Sequence, residues 1–491
     1  MPLFIFFCGY ILFSSANWVI NKFGPITYEQ IIFHLNMPFR SEIKLVISYL
    51  QHTFMTAAII AFVLWLLFSQ KYRLKYKPVE IVRNFIYRHR YLLSILWLLF
   101  CVVYFFIRMN VWTMLTYRQH KREISNFYEL YYVVPQQTQI TFSDKPRNLI
   151  IIFMESIEST FAKTPEHDYF KVDLIPELHS LANQNINFSN SEYLGGATLI
   201  DGTQWTQAGL FAKTCGAPIQ LPLEEANLFQ PESDFYPNAY CIYDILRQQG
   251  YNESFMIGSN GEFGGMDRFV ATHGQQQFFN TLYFTRNLSR LSYKKRRKNI
   301  PDEKLFVYAK EELSRLAQDD KPFVFTFMTL DTHFGTQEFS DNLCERKYGS
   351  DNNLQNVVSC SSLQIGNFVE WIKRQPFYEN TTIVLLGDHL MMNQSLTEDM
   401  ERHPLNIFIN TTQPAINTKN RIFTPFDIYP TIIESIGAQI DGHRLGLGTS
   451  LFAADMPTLT EGKISVEDMN NEVRKSNKIY DWLLYGKQIQ Y

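Results

Sequence analysis

The 491-residue chain carries almost no excess charge: Lys and Arg number 45, Asp and Glu 48, for a net charge of −3 at pH 7. No bulk polycation is available to neutralise a nucleic-acid backbone, so that class of partner is excluded. No internal repeat or low-complexity tract is present, which excludes solenoids and disordered arrays. Cysteine is scarce, at six. Cys8 and Cys101 fall inside apolar runs and read as packing residues. Cys215, Cys241, Cys344 and Cys360 lie in the later part, an even number that suits an oxidising compartment. Closeness along the chain favours Cys215–Cys241 and Cys344–Cys360 over the other pairings, with four free buried thiols as the competing reading.

What the chain has in abundance is apolar and aromatic residues, 46% and 15%, concentrated at the front. Runs 2–20 (PLFIFFCGYILFSSANWVI), 49–68 and 91–107 (YLLSILWLLFCVVYFFI) each come close to the length needed to cross about 30 Å of hydrocarbon. A cleaved signal peptide competes for the first run only, and that run lacks a basic n-region and a clear small-residue cleavage site. The stretch 70–90 carries Lys71, Arg73, Lys75, Lys77, Arg83, Arg88 and Arg90 against Glu80. Short basic loops stay in the cytoplasm, so the third span delivers everything beyond about residue 110 to the outside. The basic RQHKRE stretch at 118–123 is a smaller counter-signal. The expected layout is a transmembrane region over 1–110, a stalk over 111–145, a catalytic domain over 146–455 and a C-terminal appendage over 456–491.

Within the outer part, 148–156, 251–260, 322–333 and 381–389 are short, continuously apolar runs that end in polar residues. Helical patterns lie between them at 173–184, 239–250, 303–318 and 362–375. This alternation predicts an α/β domain with a mostly parallel central sheet and helices on both faces. Ligands in such sheets bind beyond the carboxyl ends of the strands. Those ends read Glu155-Ser156, Asp331-Thr332-His333 and Asp388-His389, so three strands deliver carboxylate or imidazole to one rim. An oxygen-rich set with one imidazole suits a divalent ion such as Mn²⁺ or Zn²⁺, with Mg²⁺ as a further candidate, and argues against a thiolate zinc site. Taken singly, a strand-end Asp is more often a cap or turn former. GGATLIDGTQW (195–205) is a glycine-marked loop, and TQAGLFAKT then opens a helix with Thr206 at the junction. A hydroxyl there can sit beside an anion on free backbone N–H groups, although an ordinary N-cap role competes. Thr198 and Thr203 are rival positions.

In order, NLIIIFMESIEST, GTQWTQAGLFAKTCGAPI, TLDTHFG, LLGDHL and FDIYPTIIESIG…RLGLGTSLF resemble the sulfatase and alkaline phosphatase superfamily. Within it the chain is similar to the membrane-anchored phosphoglycerol transferases, those that modify periplasmic glucans and the lipoteichoic acid synthases, with the glucan-modifying branch the closer likeness through its TQAG…CGAP and DTH wording. The stretch 23–38 also resembles the loop after the first span of these enzymes, and related enzymes often carry additional spans. The resemblance implies that Glu155, Thr206, Asp388 and His389 bind the metal, and that Thr206 is the nucleophile. His333 matches a His that contacts the transferred phosphate, and Arg268 in GMDRF loosely matches a substrate-binding Arg. His403 and His273 are further candidates, each a lone His for which a structural hydrogen bond competes. Sulfatases use a Cys within C-x-P-x-R. Here Cys215-Gly216-Ala217-Pro218 puts Pro one place late and has no Arg, so the chemistry turns toward phosphate.

The expected activity is transfer of phosphoglycerol from phosphatidylglycerol to a glycan, at a bacterial inner membrane with the catalytic domain facing the periplasm. Rival readings are a phosphoethanolamine transferase acting on lipid A or a glycan, a soluble-ester hydrolase, and a non-catalytic binding protein on the same fold. The basic run SYKKRRKNI (292–300) reads either as a contact for anionic lipid headgroups or as a solvated loop.

Overall fold

The computed structural model describes residues 1–23, 27–35, 43–68, 77–221, 233–274, 277–287, 299–333, 337–349, 353–392 and 400–486. The first part of the basic stretch 70–90 and most of the basic run 292–300 lie outside the described residues. The chain falls into two compact units, one drawn from 1–28, 39–119 and 393–395, the other from 29–38, 120–392 and 396–491.

In the first unit three helices are long and apolar enough to cross a membrane: Pro2–Asn21, Val46–Trp65 and Arg90–Arg108. The middle one contains a π-helical turn, Gln51–Met55. Apolar side chains such as Ile59, Phe62, Leu96, Leu99 and Phe106 remain exposed, which costs little in hydrocarbon and would be a liability in water. The first and third spans pack along each other. Phe6 stacks on Trp97 at 5.1 Å between ring centres, and the Tyr104 hydroxyl donates to Asn17 Oδ1 at 2.7 Å. Such a pairing satisfies polar groups that lipid cannot. After the second span, Lys77–Arg88 is helical rather than an irregular loop.

The second unit is built on six strands: β1 (Asn148–Met154), β2 (Asn252–Ile257), β3 (Gln277–Phe279), β4 (Phe323–Met328), β5 (Thr381–Gly387) and β6 (Asn406–Ile409). They lie in the order β3-β2-β4-β1-β5-β6, and only the β5–β6 pair is antiparallel. β1, β4 and β5 are largely apolar and almost fully buried because both faces are covered. Ile150, Ile152, Phe325, Phe327, Ile383 and Leu385 meet helices Pro176–Gln184, Asp302–Leu316 and Asn353–Lys373 in one core. The alternate residues face the other way, where the Tyr243 hydroxyl of helix Ile242–Gln248 bonds Thr326 at 3.0 Å. Helices Thr206–Cys215 and Pro425–Ser435 pack together.

Two disulfides, Cys215–Cys241 and Cys344–Cys360, join the pairs that lie closest along the chain. Residues 459–485 form three helices that bond back into the unit. Arg474 pairs with Asp201 at 2.7 Å and with Glu29 of helix Tyr28–Leu35 at 3.2 Å. The Tyr480 hydroxyl accepts from the Gln220 amide at 2.6 Å and donates to the Pro218 carbonyl at 3.0 Å. The loop before Thr206 is thus tied at Asp201 to the C-terminal helices.

Candidate active site

The sheet register creates the site. Met154 is level with Gly387 and Phe153 with Met328, so the residues that follow β1, β5 and β4 emerge side by side on three adjacent strands. The Glu155 amide donates to Thr329 Oγ1 at 3.0 Å, and Thr332 Oγ1 donates to the Glu155 carbonyl at 2.5 Å. Asp388 Oδ1 accepts from the Ser156 and His389 amides at 2.7 and 2.8 Å. To reach it Ser156 adopts a positive φ of 56°, a conformation costing about 1–3 kcal/mol for a residue other than glycine. Its hydroxyl donates in turn to Glu155 Oε1 at 2.7 Å.

Asp388 Oδ2 is fully buried and has no hydrogen-bond partner. Buried polar atoms rarely stay single, and a carboxylate oxygen is the most costly kind to leave so. The His389 Nδ1–H donates to the Leu390 carbonyl at 2.7 Å, which leaves the Nε2 lone pair facing inward. It lies 3.3 Å from Glu155 Oε1, 3.4 Å from Asp388 Oδ2 and 3.3 Å from Thr206 Oγ1, and Thr206 Oγ1 is 3.4 Å from Glu155 Oε2. A lone pair aimed at two carboxylates is repelled unless positive charge lies between them. Bonds of about 2.1 Å to one tetrahedral ion put the ligand atoms roughly 3.4 Å apart, matching these separations. Two carboxylates, an imidazole nitrogen and an alcohol therefore fit a divalent cation of the Mn²⁺ or Zn²⁺ kind.

The electrostatics agree. Burial presses the Glu155 carboxyl upward, but the charges of His333 and His389, with hydrogen bonds from His389 and Ser156, outweigh it and hold Glu155 low. Burial and then the Glu155 charge push Asp388 up. Burial lowers His389, yet the two carboxylates win and raise it to about 9. The cluster demands a cation, and without a metal ion the imidazole takes a proton to supply one.

Thr206 opens helix Thr206–Cys215 from an extended Trp205 (φ −137°, ψ 163°), whose side chain gives no capping bond. The first-turn amides and the helix dipole there favour a tetrahedral anion. The helix can lie against the rim because residue 209 is glycine: a Cβ there would come within 2.1 Å of the Asp388 carbonyl. One turn on, Lys213 donates to that same carbonyl at 2.7 Å. At the far end Gly216 closes the helix in the left-handed region (φ 70°).

The structure thus brings Glu155, Thr206, Asp388 and His389 together. His333 follows the anchored Thr332, and its charge reaches Glu155. Arg268 is on helix Met266–Thr272, entered through the turn Phe263–Gly265 that packs against the Thr206 helix; its guanidinium lies 3.8 Å from Asp267. His403 is buried and engaged at both nitrogens, with the Ala197 carbonyl at 3.1 Å and Glu401 at 3.2 Å. His273 is likewise engaged by Asp244 at 2.9 Å and the Phe235 carbonyl at 3.2 Å. Asp331 at the rim exchanges backbone–carboxylate bonds with Asp302, and burial together with the Asp302 charge pushes its carboxyl up. Lys213 and Gly209 went unread as site residues, and Ser156 was read only as part of the strand-end rim without a part of its own. The one trace that Gly209 and Lys213 left is their spacing, four apart on one helix face.

The chain is 31% identical over 329 residues to phosphoglycerol transferase I of Escherichia coli O6:K15:H31 (strain 536 / UPEC) and of Escherichia coli K12 / MC4100 / BW2952. Each match covers 65% of this chain and 40% of the relative, so the chain spans under half the length of these curated relatives. Among solved structures, the integral membrane lipooligosaccharide phosphoethanolamine transferase A of Neisseria meningitidis matches with a TM-score of 0.50 at 13% identity, over 88% of this chain and 83% of that one. That likeness speaks for the fold alone. The sulfatase family matches residues 147–438, more than half of the chain and the span that holds every residue of the cluster. The chain belongs to the sulfatase family.

Proposed function

We propose that the chain is a metal-dependent transferase that moves phosphoglycerol from a membrane phospholipid, phosphatidylglycerol, to a glycan acceptor through a covalent Thr206 intermediate. The observation that carries this is the placement of Thr206 Oγ1 within 3.4 Å of Glu155 and 3.3 Å of His389, at the mouth of a helix and beside an unpartnered Asp388 oxygen. The name of the E. coli relatives supports phosphoglycerol as the group transferred.

Glu155, Asp388, His389 and Thr206 would hold the divalent ion. When bound, it lowers the pKa of the alcohol and polarises the phosphoryl oxygens. Thr206 Oγ, already deprotonated to the alkoxide and returned to it at the end of the cycle, attacks phosphorus, the bond to the glyceride oxygen breaks, and diacylglycerol departs with a proton supplied by protonated His333. The amides opening the Thr206 helix, with Arg268, offset charge gathering on the phosphoryl oxygens. In the second half a sugar hydroxyl attacks, gives its proton back to His333 and frees Thr206.

Three apolar helices in the first unit and two disulfides in the second support an inner-membrane protein whose catalytic domain faces the periplasm. Lys77, Arg83 and Arg88 on the helix after the second span support a cytoplasmic location for that connection.

Vesicles of phosphatidylglycerol or phosphatidylethanolamine, followed by mass spectrometry of the Thr206 peptide, test the reading. A phosphoglycerol adduct from the first lipid, absent in Thr206→Ala, is expected. An adduct from phosphatidylethanolamine alone would reassign the donor. Full turnover by Thr206→Ala would remove the nucleophile.

A further inference from the structure

Gln207 follows the nucleophile and is 2% exposed, yet neither its Oε1 nor its Nε2 has a hydrogen-bond partner. Gln204 Oε1, on the other side of Thr206, is also buried and unpartnered. Nearly all buried amides in folded proteins are partnered, so two such groups flanking one nucleophile mark a place where a polar ligand completes the structure. Local geometry shows where they stand. Trp205 is extended, so side chains alternate across it: Gln204 and Thr206 leave on one side, and Trp205 leaves on the other, where its ring lies 5.4 Å from Phe33. Gln207 is the next position round the helix. Its Cβ lies 3.8 Å from where a side chain on Gly264 would begin, and Gly264 belongs to the turn that opens the Arg268 helix. Gln207 therefore adjoins Thr206 in sequence and packs against the turn that leads into the helix carrying Arg268.

We propose that Gln207 is a specificity-determining residue that reads the donor headgroup, selecting a hydroxyl-bearing phosphodiester over an ammonium-bearing one. This rests on the transferase reading above. A primary amide offers a donor and an acceptor from one rigid plane, and a diol does the same, so the two can pair at both atoms. An ammonium has only donors. It would satisfy Oε1 and leave the Nε2 hydrogens facing positive charge, an unpaired contact that a buried site rejects. Gln204 Oε1 adds a second acceptor for a diol proton. Neither glutamine takes part in bond making. Their effect is on which headgroup places its phosphorus against Thr206.

Binding of glycerol phosphate, phosphoethanolamine and inorganic phosphate to the full chain in detergent tests this without turnover. Wild type is expected to favour glycerol phosphate over phosphoethanolamine about tenfold. Gln207→Met, of similar volume, should lose that preference while its inorganic phosphate affinity stays unchanged, which also shows that the site is folded. Gln207→Glu keeps the shape, adds a negative charge, and should turn the preference toward phosphoethanolamine. Retention of the wild-type preference by Gln207→Met, or an unshifted preference in Gln207→Glu, overturns the assignment. A Gln207-dependent preference with no mass ever added to the Thr206 peptide would support the headgroup assignment and sink the transferase reading instead.

Discussion

Two buried clusters in the second unit have nearly the same ligand inventory. Glu155, Asp388 and His389 bring ligand atoms within 4.8 Å of one another, and so do Cys241, Asp244 and His273. Proximity and burial do not separate them; their bonding does. In the second cluster the Cys241 sulfur is bound to Cys215. Asp244 Oδ2 takes the Cys241 amide at 2.9 Å and His273 Nδ1 at 2.9 Å, Oδ1 takes Arg247 at 3.0 Å, and His273 Nε2 meets the Phe235 carbonyl. Every atom is spoken for. In the first cluster Asp388 Oδ2 has no hydrogen-bond partner, and the imidazole lone pair 3.4 Å away faces carboxylates. A site is recognised by the bonding its folded state leaves undone.

The largest effect should come from Asp388→Asn. The amide can still accept the Ser156 and His389 amides through its oxygen, but its NH₂ points at His389 Nε2 and the negative charge is gone. Metal retained after dialysis should fall to background. Transfer activity should drop roughly a thousandfold or more, because polarisation by the ion is worth several kcal/mol. Metal analysis beside single-turnover kinetics checks this, and a variant that keeps stoichiometric metal would erase the contrast between the clusters.

Glu155, Asp388 and His389 were legible because each sits where a largely apolar strand stops, and such stops are visible in one dimension; Thr206 stood beside Thr198 and Thr203 as rivals until the family resemblance singled it out. The central strands were legible for the same reason. β3 and β6 were not: Gln277–Phe279 and Asn406–Ile409 are too short to show a period. Register was not legible either, since the pairing of Met154 with Gly387 depends on how two segments slide past each other. The part of Lys213 was hidden because its partner is a main-chain carbonyl 175 residues away. His273 and His403 could be named but not sorted from ligands, because the groups that occupy them, Phe235, Asp244, Ala197 and Glu401, arrive through folding alone.

Glu253 sharpens the comparison from another side. It lies on β2 beside Arg247 and Asp244, and both its oxygens are buried without partners, like Asp388 Oδ2. It belongs to no group of three or more metal-ligating side chains among the described residues. Here the undone bonding is resolved by a proton: burial, opposed by Arg247 and assisted by the Asp244 charge, raises its carboxyl from 4.5 to about 8. The folded state then holds a proton that the unfolded chain releases near pH 4.5. Its contribution to stability is complete below that pH, falls as pH rises toward 8, and levels off above. The loss across that window is on the order of 5 kcal/mol. Gln at 253 carries no titrating proton, so the gap between Glu253→Gln and wild type in thermal denaturation should widen in the variant's favour from pH 5 to pH 9. Parallel curves would mean that Glu253 is already charged in the fold.

The smallest effect should come from His273→Gln, and it bears on the comparison most directly. The imidazole bridges Asp244 and the Phe235 carbonyl and lies 5.0 Å from the Phe269 ring, tying helix Met266–Thr272 to the start of helix Ile242–Gln248. Glutamine reaches only part of that span. Asp244 keeps the Cys241 amide and Arg247, so no charge is stranded, and the cost is one or two buried hydrogen bonds, about 1–2 kcal/mol. Because every atom of this cluster is already engaged, no ion is lost with the ring. Bound metal and transfer rate per folded molecule should match wild type while the melting temperature falls by a few degrees. A parallel fall in metal content would mean that the Cys241–Asp244–His273 group exchanges its internal bonds for an ion, and that completeness of bonding fails to tell a brace from a site.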